Sequence, residues 1–136
     1  MRVLLDANIL FSASARGSPT SVVLAAILRH GVAVITTHVC EEARRNLAAQ
    51  RASYLGECAR LCALMELTTA FYTGTLPSVP DEDKPVLAGA IGARCTHLWT
   101  SDRRHFGSWY GRTVHGVRMV SSVQMANELI KLGWRP

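Results

Sequence analysis

The sequence predicts an α/β fold, a central and mainly parallel sheet with helices on both faces. Short runs of branched apolar residues, of strand length, alternate with longer stretches whose apolar residues recur at helical spacing. Acidic residues follow directly on two of those short runs, where a parallel sheet presents its carboxyl edge and where ligands of such sheets sit. A chain of 136 residues, 49% hydrophobic and 18% charged, has the composition of one globular domain with a buried core and excludes disorder as the main state.

Arg2 to Asp6 is a branched apolar run and predicts a buried strand. Residues 7–20 read as a loop that closes on Ser18 and Pro19, the N-cap and first residue of a helix running to about Arg29. Gly31 ends that helix, and Val32 to Thr36 predicts a second strand. The spacing predicts a helix over His38 to Gln50, with Val39, Ala43 and Leu47 inward and Glu41, Arg44 and Arg45 in water. A further helix is expected from Ser53 to Glu66, on a stripe of Leu55, Cys58, Ala59, Leu61, Cys62 and Met65. Phe71 and Tyr72 suggest a short strand, followed by a proline-punctuated loop from Thr75 to Pro80. Asp81 to Arg94 predicts a small-residue helix able to pack closely. His97 to Thr100 and Arg118 to Val120 complete the expected strands, and Ser122 to Leu132 forms the closing helix. Neither a repeat nor a linker interrupts residues 1–136, so a single domain is expected.

No apolar stretch reaches membrane-spanning length, and the start lacks the basic leader and cleavage site of a secretory signal, so a cytoplasmic chain with no membrane partner is expected. Cys40, Cys58, Cys62 and Cys95 show neither CxxC nor zinc-ribbon spacing and read as free, buried thiols. The net charge of +5 rests almost wholly on arginine, because Lys84 and Lys131 are the only lysines. Arginine's planar fork matches phosphate oxygens in a bidentate way, which points to a polyanionic partner.

Four acids stand out: Asp6, Glu42, Asp83 and Asp102. Each has an ordinary alternative role as turn former, helix cap or partner of a helix dipole. Asp6 and Asp102 nevertheless fall where the predicted strands Arg2–Asp6 and His97–Thr100 leave the sheet. Glu42 and Leu47 lie on different faces of their helix, which turns Glu42 toward a cleft. Asp81, Glu82 and Asp83 all precede the small-residue helix, leaving Asp81 as an alternative to Asp83. Collected at one edge, four carboxylates would hold a hard divalent cation. Without metal they would repel one another, so raised pKa values are expected.

Around this set, Asn8 is positioned to hydrogen-bond Asp6 and fix its orientation, and Thr100 and Ser101 lead into Asp102 as further supports. Arg103, Arg104 and Lys84 are candidates for gripping substrate phosphates, with Arg44 and Arg45 weaker ones. Trp109 and Tyr110 either stack on unpaired bases or close a loop over the core. His105, in what reads as a solvated basic loop, gains no support as a general base.

The order of these motifs, LLDANIL, then EEARRNL, then EDKPVLAGAIGARCTHLWTSDRRHFG, resembles the PIN-domain family of metal-dependent ribonucleases over about Arg2 to Leu129. The strongest match is Asp83 through Gly107, and the segment HGVRMVSSVQMANEL fits the family's last strand and helix. The resemblance implies a three-layer α/β/α PIN-like fold and assigns the metal-binding acids to Asp6, Glu42, Asp83 and Asp102. It favours Asp83 over Asp81 and suggests substrate contact by Arg103 and Arg104. Arg94 departs from the pattern, standing where many relatives have glycine.

The implied activity is hydrolysis of RNA phosphodiesters with one or two Mg²⁺ or Mn²⁺ ions. Small members of the family resemble VapC-type toxins of type II toxin–antitoxin systems, which implies an antitoxin partner and a homodimer. A housekeeping RNA-processing nuclease and a non-catalytic RNA-binding or regulatory domain are the alternatives. A phosphatase on a similar sheet is disfavoured, since neither a D-x-D nucleophile motif nor a P-loop is present.

Overall fold

A computed structural model describes all residues, Met1–Pro136. Strand β1 (Arg2–Leu5) is the centre of the molecule: Val3, Leu4 and Leu5 are fully buried, as expected of a strand covered on both faces. It is followed by helices α1 (Ala7–Ala13) and α2 (Pro19–His30), strand β2 (Val32–Thr36), and helices α3 (Thr37–Gln50) and α4 (Leu55–Ala63). Strand β3 (Glu66–Thr68), helix α5 (Lys84–Gly92), strand β4 (His97–Trp99) and helix α6 (Arg103–Phe106) come next. Strands β5 (Thr113–Val114) and β6 (Val117–Val120) and helix α7 (Ser122–Lys131) complete the chain.

The sheet order is β3-β2-β1-β4-β6-β5, parallel except for β5, which pairs antiparallel with β6. The crossovers from β1 to β2 and from β2 to β3 step outward in one direction. Right-handed connections therefore put α1–α4 on one face, and the return from β3 to β4 carries α5 across the other. Helix α7 packs back against α2. Strand order thus reverses between β1 and β4, the place where an open α/β sheet forms a crevice at its carboxyl edge.

Several elements follow the sequence closely. Ser18 caps α2 by accepting from Ser21 N–H at 3.2 Å, and Pro19 opens the helix. Val39, Ala43 and Leu47 are the buried residues of α3, which Thr36 caps through Val39 N–H at 3.0 Å. Arg94 takes φ 56°, the left-handed turn conformation that explains why glycine would fit there.

Four readings are corrected. Residues 7–13 are helical, not a loop, because Asp6 receives Ala7 N–H at 2.8 Å and the helix buries Ala7, Ile9, Leu10 and Ala13. Ser12 lies within that helix, and Ser14, Gly17 and Ser18 follow beyond its apolar stripe. The predicted Ser53–Glu66 helix is shorter, since Ala52–Tyr54 is a 3₁₀ turn and Glu66 opens β3. Its stripe holds at Cys58, Leu61 and Met65, whereas Ala59 is exposed. Phe71 and Tyr72 form no strand; Tyr72 N–H instead bonds the Ala88 carbonyl of α5 at 3.0 Å. The true edge strand, β3, has one neighbour and leaves Leu67 59% exposed, so it carries no burial signature in the sequence. Finally, the basic segment after Asp102 is the short helix α6, and β5 is an added strand joined to β6 through His115 and Gly116. The positive φ values of that pair, 48° and 84°, suit a tight hairpin turn.

All four cysteines are free thiols. Cys58 and Cys95 are buried; Cys40 and Cys62 are half-buried, with their sulfurs 3.4 Å apart across the α3–α4 contact. No helix is long and apolar enough to cross a membrane.

Candidate functional site

The carboxyl edge at the strand-order reversal opens into a cavity of about 400 Å³. Its wall includes Asp6, Glu42, Asp83 and Asp102, so the fold brings all four sequence-selected acids to one place. Glu82, Asn8, Asn46 and His105 also line it.

Asp6 sits where β1 ends, its N–H still in the sheet ladder on Trp99 O at 3.0 Å. It is only 7% exposed. Its Oδ1 accepts from Ala7 N–H and its Oδ2 from the Thr100 hydroxyl, both at 2.8 Å. Burial pushes the Asp6 carboxyl above the usual aspartate range; the two hydrogen bonds oppose that rise, and the charges of Glu42 and Asp83 add to it. The raised value agrees with expectation, but desolvation leads and mutual repulsion is secondary.

Thr100 is the hub of the edge. Fully buried, it donates its hydroxyl to Asp6 and accepts Asp102 N–H at 3.1 Å, while its carbonyl receives the Tyr110 hydroxyl at 2.9 Å. Tyr110 is thereby engaged from inside. Trp109 packs against the core with the Arg112 guanidinium 5.6 Å from its ring centre. Asn8 does not orient Asp6: its Oδ1 accepts Ser101 N–H at 3.2 Å and so ties α1 to the exit of β4. Ser101 contributes that backbone group, and its own residue is exposed.

Asp102 caps α6 by accepting His105 N–H on Oδ1 at 3.2 Å. Its Oδ2 lies 2.9 Å from His105 Nδ1, and Asp83 Oδ2 lies 2.8 Å from the same nitrogen. The Asp83 contact is close but off the line of a proper N–H···O bond, and both atoms are buried without a well-formed hydrogen bond. Asp83 is 8% exposed. Burial raises its pKa, opposed by His105, while Asp102 and Glu82 push it further up. Asp81 points elsewhere: its side chain is 95% exposed and pairs with Lys84 at 2.8 Å. Of the two candidates for the third acid, Asp83 alone lines the cavity. Glu42 is half-buried on α3, 3.9 Å from His38 Nε2, whereas Glu41 is exposed.

The basic residues lie outside the cavity wall. Arg103, Arg104, Arg44 and Arg45 are exposed, and Lys84 is held by Asp81. His105, Glu82 and Asn46 are cavity residues that sequence reading passed over. Asn46 stands four residues after Glu42 on α3, a spacing that places them on one helix face. His105 stands three residues after Asp102, a relation visible only once that segment is recognised as helical.

Glu82, Asp83 and His105 bring one ligand atom each within 4.8 Å of one another. Carboxylate oxygens with one imidazole, two of whose polar atoms are buried and unsatisfied, fit a divalent cation chemically. The cavity is an acidic hollow in a chain of net charge +5.

No protein-family model matches the sequence, and no curated protein matches it. Among solved structures, the chain is similar to one in the crystal structure of VapBC2 from Rickettsia felis bound to a DNA fragment from their promoter. Identity is 13%, the match covers 89% of this chain and 98% of that one, and the TM-score is 0.63. The likeness shows the fold, which is the three-layer α/β/α PIN-like arrangement around a mainly parallel sheet.

Proposed function

We propose that the protein is a metal-dependent ribonuclease that hydrolyses RNA phosphodiester bonds as the toxin of a toxin–antitoxin pair. The observation that carries this reading is the convergence of Asp6, Glu42, Asp83 and Asp102 on one cavity at the point where strand order reverses. The fold shared with a chain of a VapBC2 structure supports it.

Asp6, Glu42, Asp83 and Asp102 are the proposed holders of Mg²⁺ or Mn²⁺. The chemistry supplied by such an ion is activation of a water and neutralisation of charge on the scissile phosphate. Thr100 clamps Asp6 and the backbone of Asp102 in fixed relation, so the carboxylates need little reorganisation on binding. With the hollow empty of cation, its negative charge repels an RNA backbone. Substrate approach is therefore coupled to metal occupancy, while the exposed Arg103 and Arg104 beside the cavity attract phosphates.

Asp6→Asn and Asp102→Asn are expected to abolish RNA cleavage, a loss of at least about a hundredfold, while retaining the wild-type fold by circular dichroism. Chelation should silence the wild type and added Mg²⁺ or Mn²⁺ should restore it. Wild-type activity in both purified variants would overturn the metal-site reading. A non-catalytic RNA-binding domain would instead show binding without metal-dependent turnover. A housekeeping nuclease would cleave RNA without arresting growth when expressed, and without a co-encoded inhibitor.

A partner protein has an available face. A groove between α2 and α4 is lined by Val22, Ala25, Leu28, Leu61 and Leu64, and Val22 and Leu64 are exposed. This face is the proposed seat of an antitoxin, the partner that the fold shared with a VapBC2 chain favours.

A further inference from the structure

The metal-centre reading leaves His105 without a role, although its Nδ1 lies within 3 Å of two of the four acids. We propose that His105 Nδ1 is itself a metal ligand, which makes the centre a mixed nitrogen–oxygen site that prefers Mn²⁺ to Mg²⁺. The inference rests on the proposal that the cavity holds a metal and adds which ion and which further donor.

Three observations support it. First, His105 Nδ1 stands 2.8 Å from Asp83 Oδ2 and 2.9 Å from Asp102 Oδ2. Neighbouring ligands on an octahedral ion with bonds of about 2.1 Å are about 3.0 Å apart, so these separations suit donors around one ion. Second, Asp83 Oδ2 and His105 Nδ1 are both shut off from solvent, and each lacks a hydrogen-bond partner of proper geometry. Buried polar atoms of this kind call for a counterpart that side chains alone do not supply. Third, the far ring nitrogen, Nε2, lies 3.4 Å from Glu82 Oε1. A metal-bound imidazole commonly donates its other N–H to a carboxylate, which fixes the ring and strengthens the ligating nitrogen. Imidazole favours first-row transition ions, whereas Mg²⁺ favours oxygen donors and holds its water tightly.

The competing role is that of a counter-ion, an imidazolium held between Asp83 and Asp102 and displaced when metal enters. The two roles predict opposite effects of removing the ring. Mn²⁺ binding to the full chain, followed by electron paramagnetic resonance, should show nitrogen hyperfine coupling that changes on ¹⁵N-histidine labelling and disappears in His105→Asn. That variant should also lose about tenfold or more in Mn²⁺ affinity, with Mg²⁺ affinity little changed. The labelled wild type keeps the test valid should the variant misfold. Mn²⁺ bound without nitrogen coupling would overturn the inference, as would tighter binding of both ions by His105→Asn. Either result leaves the carboxylate centre standing, whereas a wild-type chain that binds neither ion would remove both this inference and the metal-centre reading.

Discussion

Asp6 combines two demands in one carboxylate. It caps α1 through Ala7 N–H and faces the cavity through the oxygen that Thr100 holds. Because Asp6 and Asp83 are buried, both have pKa values raised above those of the unfolded chain. A raised folded pKa favours the protonated folded state. The stabilising contribution is therefore full below the unfolded value of about 3.9 and is lost as pH rises through the folded value. Asp6→Asn removes its share of this loss. The metal-free variant should melt no lower than wild type at neutral pH, and its advantage should grow from pH 4 upward in thermal scans. A variant that melts well below wild type at neutral pH would show that folding depends on the ionised carboxylate. His105 illustrates the limit of sequence at this scale. The two residues before it in the chain are arginines, whereas Asp83 and Glu82, its neighbours in space, come from a segment more than a helix away.

At the scale of elements, the helices differ in how closely they must approach their surroundings. A Cβ on Gly92 of α5 would lie 2.6 Å from the backbone nitrogen of Phe71, and one on Gly56 of α4 would meet nothing within 4 Å. Gly92→Ala should therefore cost about 1–3 kcal/mol, since backbone must move to admit the methyl group. Gly56→Ala should stabilise by about 0.4–1 kcal/mol through lower entropy of the unfolded chain. Urea midpoints with unchanged slopes would measure both, and equal effects of the two substitutions would contradict the packing described. The elements that were legible in sequence, α2, α3 and α7, have long stripes and strong caps, such as the reciprocal Ser121 and Gln124 bonds that open α7. Those that were not, α1, β3 and α6, are short or have one covered face. Their conformation is decided by what packs on them, not by periodicity. In α1, the Asp6 that looked like the end of a strand was also the start of a helix.

Across the whole molecule, five of the ten carboxylates face the cavity, and Arg103 and Arg104 stand exposed just beyond Asp102. Loss of Arg103 and Arg104 should weaken RNA binding by a similar factor for all sequences. It should also lower the dependence of log K on log salt by roughly 0.7 per phosphate contact removed. Binding isotherms for Arg103→Gln and Arg104→Gln at several salt concentrations would measure this, and an unchanged slope would place the phosphate grip elsewhere. That the acids converge was legible because strand ends in a parallel sheet share one edge. Which residues line the hollow beside them depended on a third-dimensional neighbourhood that linear spacing does not encode.

The hydrogen bond from Thr100 to Asp6 joins residues 94 positions apart. It forms only after β4 has docked beside β1, and Asp102 lies beyond β4 again. A ribosome translating this chain therefore releases the first carboxylate long before its clamp and the last two acids emerge. During synthesis Asp6 and Glu42 emerge ahead of Asp83 and Asp102. The complete acidic set therefore assembles only once β4 and the residues just beyond it have been made and docked beside β1.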